Sequence, residues 1–418
     1  MTTLLAIGDI HLGRLPAALP DDLSGRRREL GPETAWARSV TEAINRKVDA
    51  VLLAGDVVER GRDFFVAYGQ LKAGVEKLEA AGIPVLAVAG NHDTHVLPRL
   101  AAEIESLHLL GAGGRWQQFD LDGASVIGWS FPRPQVHHSP LENFPQQRGR
   151  QPLIGLLHCD RDQSDSPYAP VSSIELARAP AAAWLLGHIH QPDDLSSERP
   201  IGYLGSVNAL RASEIGPRGP WLVEINKQTV RASHLPLAPL RYQVLEVDCS
   251  KLESAEGLGE AILAASRQAL AGIEAAEYRP DVIGFRVQLV GSSAISSQLP
   301  AAAERLLDEA RSWHEYRIQC FIQKISVQTL PSLAIDSLAR QSDPCGLLAR
   351  RLKALGEPGG AEWQRLIELG RKAIDPITTS REFRPLERQL SDEEIAEHLR
   401  QAATIALSKL IAQRETGG

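Results

Sequence analysis

Asp9 and His11 stand two positions apart, directly after the short apolar run Leu4-Leu5-Ala6-Ile7 and a glycine, Gly8. The same arrangement recurs along the first half of the chain. Val51–Ala54 leads into Gly55-Asp56, Val85–Ala89 into Gly90-Asn91-His92-Asp93, Leu153–Leu157 into His158, and Trp184–Leu186 into Gly187-His188-Ile189-His190. Each of these residues has a plainer explanation when taken alone: a histidine at a strand end is usually structural, and Asp9 can cap a turn. Five runs in order, each ending in Asp, Asn or His, form a constellation instead. Carboxylate, imidazole and amide oxygen together suit Mn²⁺, Fe, Zn²⁺ or Ni²⁺ better than a thiolate-selecting site does. Asp9, His11, Asp56, Asn91, His158, His188 and His190 are more donors than one ion recruits while keeping a position for water. Two ions sharing a carboxylate fit the number, and Asp56, alone on its motif, is the natural bridge. Such a pair, about 3.5–4 Å apart, activates a water and clamps the oxygens of a phosphoester. His92 is not needed as a ligand, so it is read as stabilising phosphate charge or protonating the leaving oxygen.

Donors on five separate segments converge only if the segments are held side by side. Short apolar runs ending in Gly read as buried strands that deliver their last side chains to a rim, where α/β sheets place their ligand crevices. Helical spacing over Ala35–Lys47 and Phe64–Ala81 separates the first three runs, predicting a sheet covered by helices. Leu97–Leu110 reads as a helix and then a strand edge, and Phe119–Trp129 as a hairpin turning at Asp122-Gly123. From there strands dominate, and a second sheet packed on the first accounts for them. Segments 16–32, 131–151 and 162–170 read as loops on the side of the site. The first domain closes near Leu237, between Pro236 and Pro239.

A small α+β unit follows, with strands expected at Tyr242–Asp248, Val282–Val290 and Tyr316–Thr329 and helices at Glu256–Ala275 and Leu299–Ala310. Beyond Pro331 the pattern is helical, over 332–339, 346–355, 361–372 and 391–413, the last opening on the capping-box spacing of Ser391 and Glu394. Asp375–Arg388 reads as irregular. These helices can close their own core, form a homodimer, or receive a partner.

The chain has 418 residues, enough for two or three domains, and a formal net charge of −7 that excludes an overall basic nucleic-acid binder. A local basic groove remains open: Arg26, Arg27 and Arg28 follow the first motif, and an arginine cluster suits a phosphate backbone as well as it suits solvent. No apolar run reaches the roughly 20 residues of a membrane span. Met1-Thr2-Thr3 lacks a basic region and a cleavage site, so the first strand is taken as part of the mature fold. Cys159, Cys249, Cys320 and Cys345 are scattered without ligand spacing, which fits a reducing cytoplasm, and Cys159 has no paired base to make it a nucleophile.

The order Asp-x-His, Gly-Asp, Gly-Asn-His-Asp, His, Gly-His-x-His resembles the calcineurin-like metallophosphoesterase superfamily. Within it, Gly8-Asp9-Ile10-His11-Leu12-Gly13 and Gly187-His188-Ile189-His190 followed by Tyr203-Leu204-Gly205-Ser206 look like the Mre11/SbcD group of DNA repair nucleases, with Leu204 in place of the usual proline. Glu214-Ile215-Gly216 and Gly219–Ile225 also resemble that group. The resemblance covers residues 1–235, whereas 240–330 resembles the group's DNA-capping domain only in size, order and coarse pattern. It implies an α/β fold: a metallophosphoesterase β-sandwich flanked by helices over 1–237, a small α+β capping domain over 240–330, and a helical, partner-binding region over 331–418. It implies one ion on Asp9, His11, Asp56 and His190, another on Asp56, Asn91, His158 and His188, both preferably manganese, with His92 as the catalytic histidine. It also implies DNA as substrate and an SMC-like coiled-coil ATPase as partner. Val57-Val58-Glu59-Arg60 departs from the group's usual Leu-Phe followed by Asp or His, and Glu59 falls where exonuclease action is tuned in some members. The alternative on the same scaffold is a small-molecule phosphodiesterase or phosphomonoesterase; a third reading is a scaffold that holds nucleic acid without cutting it.

Overall fold

The apolar runs form adjacent parallel strands. In the computed structural model, which describes residues 1–145, 151–227, 229–309, 311–378 and 390–416, the chain opens with β1 (Thr2–Ile7), α1 (Pro32–Arg46), β2 (Ala50–Leu53), α2 (Phe64–Ala80), β3 (Val85–Ala87), α3 (Leu97–Glu103) and β4 (Leu107–Leu109). β1 to β4 are parallel neighbours, with Ile7 opposite Leu53 and Leu53 opposite Ala87, so the first three motifs leave the sheet at one end. The expected hairpin is β5 (Trp116–Leu121) and β6 (Ala124–Trp129), antiparallel with Leu121 opposite Ala124. It begins a second sheet with β7 (Leu153–His158), α4 (Ser173–Arg178), β8 (Ala183–Gly187) and β9 (Ile201–Tyr203). Strands β6 to β9 are parallel, and His158 pairs with Gly187, which carries the last two motifs out at neighbouring positions. β10 (Trp221–Asn226) and β11 (Thr229–His234) return to the first sheet, β10 lying antiparallel on β1.

Side-chain alternation makes the two sheets a sandwich. Leu4, Ala6, Leu52, Leu86, Val126, Ile154, Leu156, Leu185 and Val223 share one buried cluster between the sheets. The other face of the first sheet sends Leu5, Ile7, Val51, Leu53 and Val85 against Trp36, Leu71 and Leu100 of its helices. Trp129, Leu157, Trp184 and Leu186 face the opposite way from the second sheet, onto Leu176 of α4. That helix carries a complete capping box, Ser172 with Glu175, which signals it in the sequence but was not among the expected elements.

The remaining elements are β12 (Leu240–Asp248), α5 (Leu258–Glu274), β13 (Val282–Val290), β14 (Ser292–Ser293), α6 (Leu299–Glu309), β15 (Trp313–Glu315), β16 (Ile318–Val327), β17 (Leu330–Pro331), α7 (Ile335–Leu338), α8 (Pro344–Leu355), α9 (Ala361–Thr378) and α10 (Asp392–Thr416). β12, β13, β16 and β15 form a sheet in that order. The chain divides into two compact units. One holds Met1–Val244, Arg267–Arg286 and Ala310–Gln323, and the other Leu245–Ser266, Val287–Glu309 and Lys324–Gly418. In the first unit Arg46 donates to the Tyr278 hydroxyl at 2.7 Å and Arg38 reaches both Asp281 oxygens at 2.7 Å. In the second, Trp363, Ile367 and Ile395 close one small core and Cys345, Leu352 and Leu407 another, so these helices bury apolar faces against each other.

Segment 16–32 is more ordered than a loop. A 3-10 turn spans Asp21–Arg26, and Leu19, Leu23 and Leu30 are buried with Tyr242, Val282 and Phe321. α9 continues to Thr378, into the stretch expected to be irregular; 379–389 lie outside the described residues, as do 146–150 of the loop expected over 131–151. All four cysteines are free thiols and buried.

Candidate metal centre

The strand ends supply the site and the turns after them bend sharply. Asp9, His11, Asp56 and His188 have φ of 37°, 54°, 47° and 106°, a left-handed conformation that non-glycine residues adopt rarely and most often where function over-determines it. The glycines before the motifs remove side chains where donors pack. Gly55, at φ 90°, lies against His158, and a Cβ there would come within 2.6 Å of His158 Nδ1.

Three donor groups emerge, with the ligand atoms of each within 4.8 Å of one another: Asp9 with His11 and His190, His11 with Asp56 and His92, and Asp9 with Asp56 and His158. Asn91 joins the last, its Oδ1 3.0 Å from His158 Nε2. Asp56 Oδ2 lies 3.5 Å from His158 Nε2 and 4.0 Å from His11 Nε2, between the two sets. His188 is held differently. Its backbone N–H donates to both Asp9 oxygens at 3.1 Å, while its ring Nε2 lies 3.6 Å from Asp160 Oδ1 and its ring centroid 5.2 Å from that of His158. Among the described residues its ring joins none of the three donor groups.

The hydrogen bonds behind these rings decide what the ring faces present. His158 Nδ1 is 3.0 Å from the Ala54 carbonyl, which can only accept, so Nδ1 carries the proton and Nε2 presents a lone pair. That lone pair meets oxygen lone pairs of Asn91 and Asp56. His190 Nδ1 is 2.8 Å from Glu214 Oε1, and His11 Nδ1 is 2.8 Å from Glu59 Oε2. Both rings are thereby oriented with Nε2 inward, and the two Nε2 atoms face each other at 3.0 Å. Acceptors converging on acceptors repel unless a cation lies among them, and a carboxylate behind an imidazole is the arrangement that orients metal-binding histidines.

The electrostatics agree. Burial and the neighbouring Asp56 hold the Asp9 carboxyl well above the usual range. Burial and Asp56 also push Asp93 up to about 8, against hydrogen bonds from the Gly90, Val57 and Val58 amides. Buried negative charge is thus in excess, and divalent cations would neutralise it. Burial also favours Asp56 uncharged, but the rings of His158, His11 and His92 together pull it below the ordinary value, toward an ionised bridge. Burial lowers His11, His188 and His158, the last to about 4, so these rings are neutral and ligand-competent near pH 7. The hydrogen bond to His11 holds Glu59 down at about 2. The residues present therefore fit divalent metal ions.

His92 is exposed at the mouth of the site. Its backbone N–H donates to Asp56 Oδ1 at 2.9 Å, and its Nδ1 lies 3.3 Å from the Glu59 carbonyl. Arg27 and Arg28 are exposed, while Arg26 donates to Gln319 Oε1 at 2.7 Å and pairs with Glu29. Sequence reasoning gave no role to Asp160 or Arg218, and met Glu214 only within Glu214-Ile215-Gly216, a stretch that resembles the Mre11/SbcD group. Arg218 is 1% exposed and donates to the carbonyls of His190 and Ile215 and to Gln191 Oε1, fixing the loop that carries His190. Nothing in the local pattern marks Asp160 or Arg218, and none of the three stands near in sequence to the ring it supports.

Residues 2–192 match the calcineurin-like phosphoesterase family, and residues 242–330 match the middle domain of the metallophosphoesterase YhaO. The chain carries a calcineurin-like metallophosphoesterase domain. Over 240 residues it is 28% identical to the Bacillus subtilis metallophosphoesterase YhaO, covering 53% of this chain and 57% of that protein. It is 29% identical over 262 residues to the DNA double-strand break repair protein Mre11 of Haloferax volcanii, covering 61% of this chain and 57% of that one. Its likeness to the Aeropyrum pernix protein of the same description is 26% over 336 residues, covering 74% and 77%. The chain thus spans little more than half the length of the Bacillus and Haloferax relatives. The phosphoesterase domain contains every residue expected as a ligand, from Asp9 to His190. No helix among the described residues is long and apolar enough to cross a membrane.

Proposed function

We propose that this chain is a two-metal nuclease hydrolysing phosphodiester bonds in DNA. One observation carries the metal requirement: the Nε2 atoms of His11 and His190 face each other at 3.0 Å, each ring backed by a carboxylate. Asp9, His11, Asp56 and His190 would hold one ion, and Asp56, Asn91, His158 and His188 the other, with Mn²⁺ as the proposed metal. When bound, such ions polarise the phosphoryl oxygens and lower the pKa of an attacking water. The remaining work falls to the chain. Glu59 and Glu214 orient the rings of His11 and His190. His92, at the exposed mouth, faces the scissile phosphate and stabilises its charge or protonates the leaving oxygen. Arg27 and Arg28 contact the phosphate backbone, with Arg26 serving mainly to anchor the segment through Gln319.

The DNA reading is supported by the likeness to two proteins described as DNA double-strand break repair proteins. In keeping with it, we assign 240–330 a capping role over the substrate, and 331–418 the contact with an SMC-like coiled-coil ATPase or a second copy of the chain, in the cytoplasm. A second reading, a small-molecule phosphodiesterase or phosphomonoesterase, is favoured by one finding: the middle region matches that of YhaO, described only as a metallophosphoesterase. The deciding experiment incubates purified protein and Mn²⁺ with labelled duplex, single-stranded and hairpin DNA, with bis-p-nitrophenyl phosphate alongside. Cleavage of DNA supports the nuclease. Efficient hydrolysis of the small ester with every DNA left intact supports the second reading.

A further inference from the structure

His188 differs from the other rings proposed as ligands. His11, His158 and His190 each set Nδ1 against an acceptor, Glu59, the Ala54 carbonyl and Glu214, at 2.8, 3.0 and 2.8 Å. In His188 it is Nε2 that faces an acceptor, Asp160 Oδ1, at 3.6 Å. Asp160 is held in place. Its backbone N–H donates to the Tyr168 carbonyl at 2.8 Å, and its carbonyl accepts from the Val171 amide at 2.9 Å. The Ser166 hydroxyl donates to Oδ2 at 2.5 Å, and Oδ1 is the oxygen turned to the ring.

The plane of the His188 ring is set by other neighbours. Its centroid lies 5.2 Å from that of His158 and 5.1 Å from that of Tyr168, and its backbone N–H is tied to Asp9. Packing against flat rings does not decide the flip. Turning an imidazole by half a turn about the Cβ–Cγ bond keeps its plane and exchanges each nitrogen with a carbon. An ionised carboxylate does decide it, because it accepts hydrogens and donates none. At 3.6 Å the contact is longer than a hydrogen bond and acts through charge. It favours the flip that brings a nitrogen to Oδ1, and the tautomer with the proton on that nitrogen. A neutral imidazole with its proton on Nε2 carries its lone pair on Nδ1.

On the two-metal reading above, we infer that Asp160 is a positioning residue for the ion assigned to Asp56, Asn91, His158 and His188. Through Nε2 it holds the His188 ring in one flip and one tautomer, so that Nδ1 is the atom this ring offers as a ligand. A carboxylate that only anchored its own loop through Ser166 would leave the ion unaffected.

The test titrates the EDTA-stripped full chain with Mn²⁺ by calorimetry. The ring is read directly from long-range ¹H–¹⁵N spectra of histidine-labelled chain loaded with Zn²⁺, with His188 assigned by the signals missing in His188→Gln. The wild-type spectra should show His188 protonated at Nε2. Asp160→Ala should weaken the ion on the His158 side about 10–100-fold and spare the other. Asp160→Asn, whose amide oxygen still accepts, should restore part of the loss. The inference is wrong if His188 is protonated at Nδ1, a result that needs no variant to fold. It is equally wrong if Asp160→Ala leaves both ions unmoved, or weakens both alike, in a chain that circular dichroism shows folded. Outright loss of one ion in both variants would make Asp160 a ligand and also contradict it. A wild-type chain that takes up fewer than two ions would overturn the two-metal reading itself.

Discussion

The two sides of Asp56 use the same ligand type in different surroundings. On one side His11 and His190 are each backed by a carboxylate at 2.8 Å, Glu59 and Glu214. On the other, His158 is backed by the neutral carbonyl of Ala54 at 3.0 Å, and its neighbouring donor is the neutral amide of Asn91. A carboxylate behind an imidazole raises its basicity and adds negative charge near the ion. On the two-ion proposal the His11 side would therefore hold the tighter ion and the His158 side the more exchangeable one, the only carboxylate other than Asp56 near a ring there being, among the described residues, Asp160, 3.6 Å from His188. The two sides differ in vulnerability too. A backbone carbonyl cannot be mutated away, whereas Glu59 and Glu214 each depend on a single codon.

The largest effect should come from the residue that belongs to both sides. Asp56→Asn should impair both ions together, and hydrolysis of bis-p-nitrophenyl phosphate should fall to the level of metal-free protein; a variant that keeps one full ion by elemental analysis would remove Asp56 from the bridging position. Next in size is His92→Gln, expected to lower turnover on the order of 10²–10⁴-fold with metal content retained. His92 lies close enough to His11 and Asp56 to bind an ion itself, so metal loss in step with activity would make it a ligand. Glu214→Gln should separate the two sides, weakening one ion about 10–100-fold and sparing the other. Glu59→Gln should act in the same direction and less strongly, because Glu59 also faces Arg14 at 3.4 Å, which already draws part of its charge away from His11. The smallest effect is expected away from both sides. Changing Arg27 and Arg28 to Ala should weaken binding to unrelated DNA sequences about equally and flatten its salt dependence, by about 0.9 in logarithmic slope for each phosphate that is no longer neutralised. An unchanged slope would leave those arginines as solvated surface.

The contrast between ligands and their supports also explains what was legible in the sequence. The proposed ligands follow apolar strands, so Asp9, Asp56, Asn91, His158 and His190 are marked by the run before them, and parallel pairing then brings the strand ends together. Helices α1 and α2 were legible from spacing, to within a few residues at their starts. The supports carry no such mark. Glu214 lies 24 residues beyond His190, in a turn between β9 and β10, and meets it only through tertiary folding. Glu59 looked like a departure from a motif until its contact with His11 showed what it holds. Segment 16–32 misled for a related reason: prolines and glycines obscured Leu19, Leu23 and Leu30, whose burial depends on Tyr242 and Phe321, more than 200 residues away. α4 was missed because six residues are too few for helical periodicity to register, although its capping box is plain in the sequence.

The most direct test of a two-ion centre with unequal sides is a calorimetric titration of the EDTA-stripped chain with Mn²⁺, beside the same titration of Glu214→Gln. The expected result is two ions per chain bound in two steps, with only the tighter step weakened in the variant. Saturation at a single ion, or two steps that Glu214→Gln leaves unmoved, would contradict it.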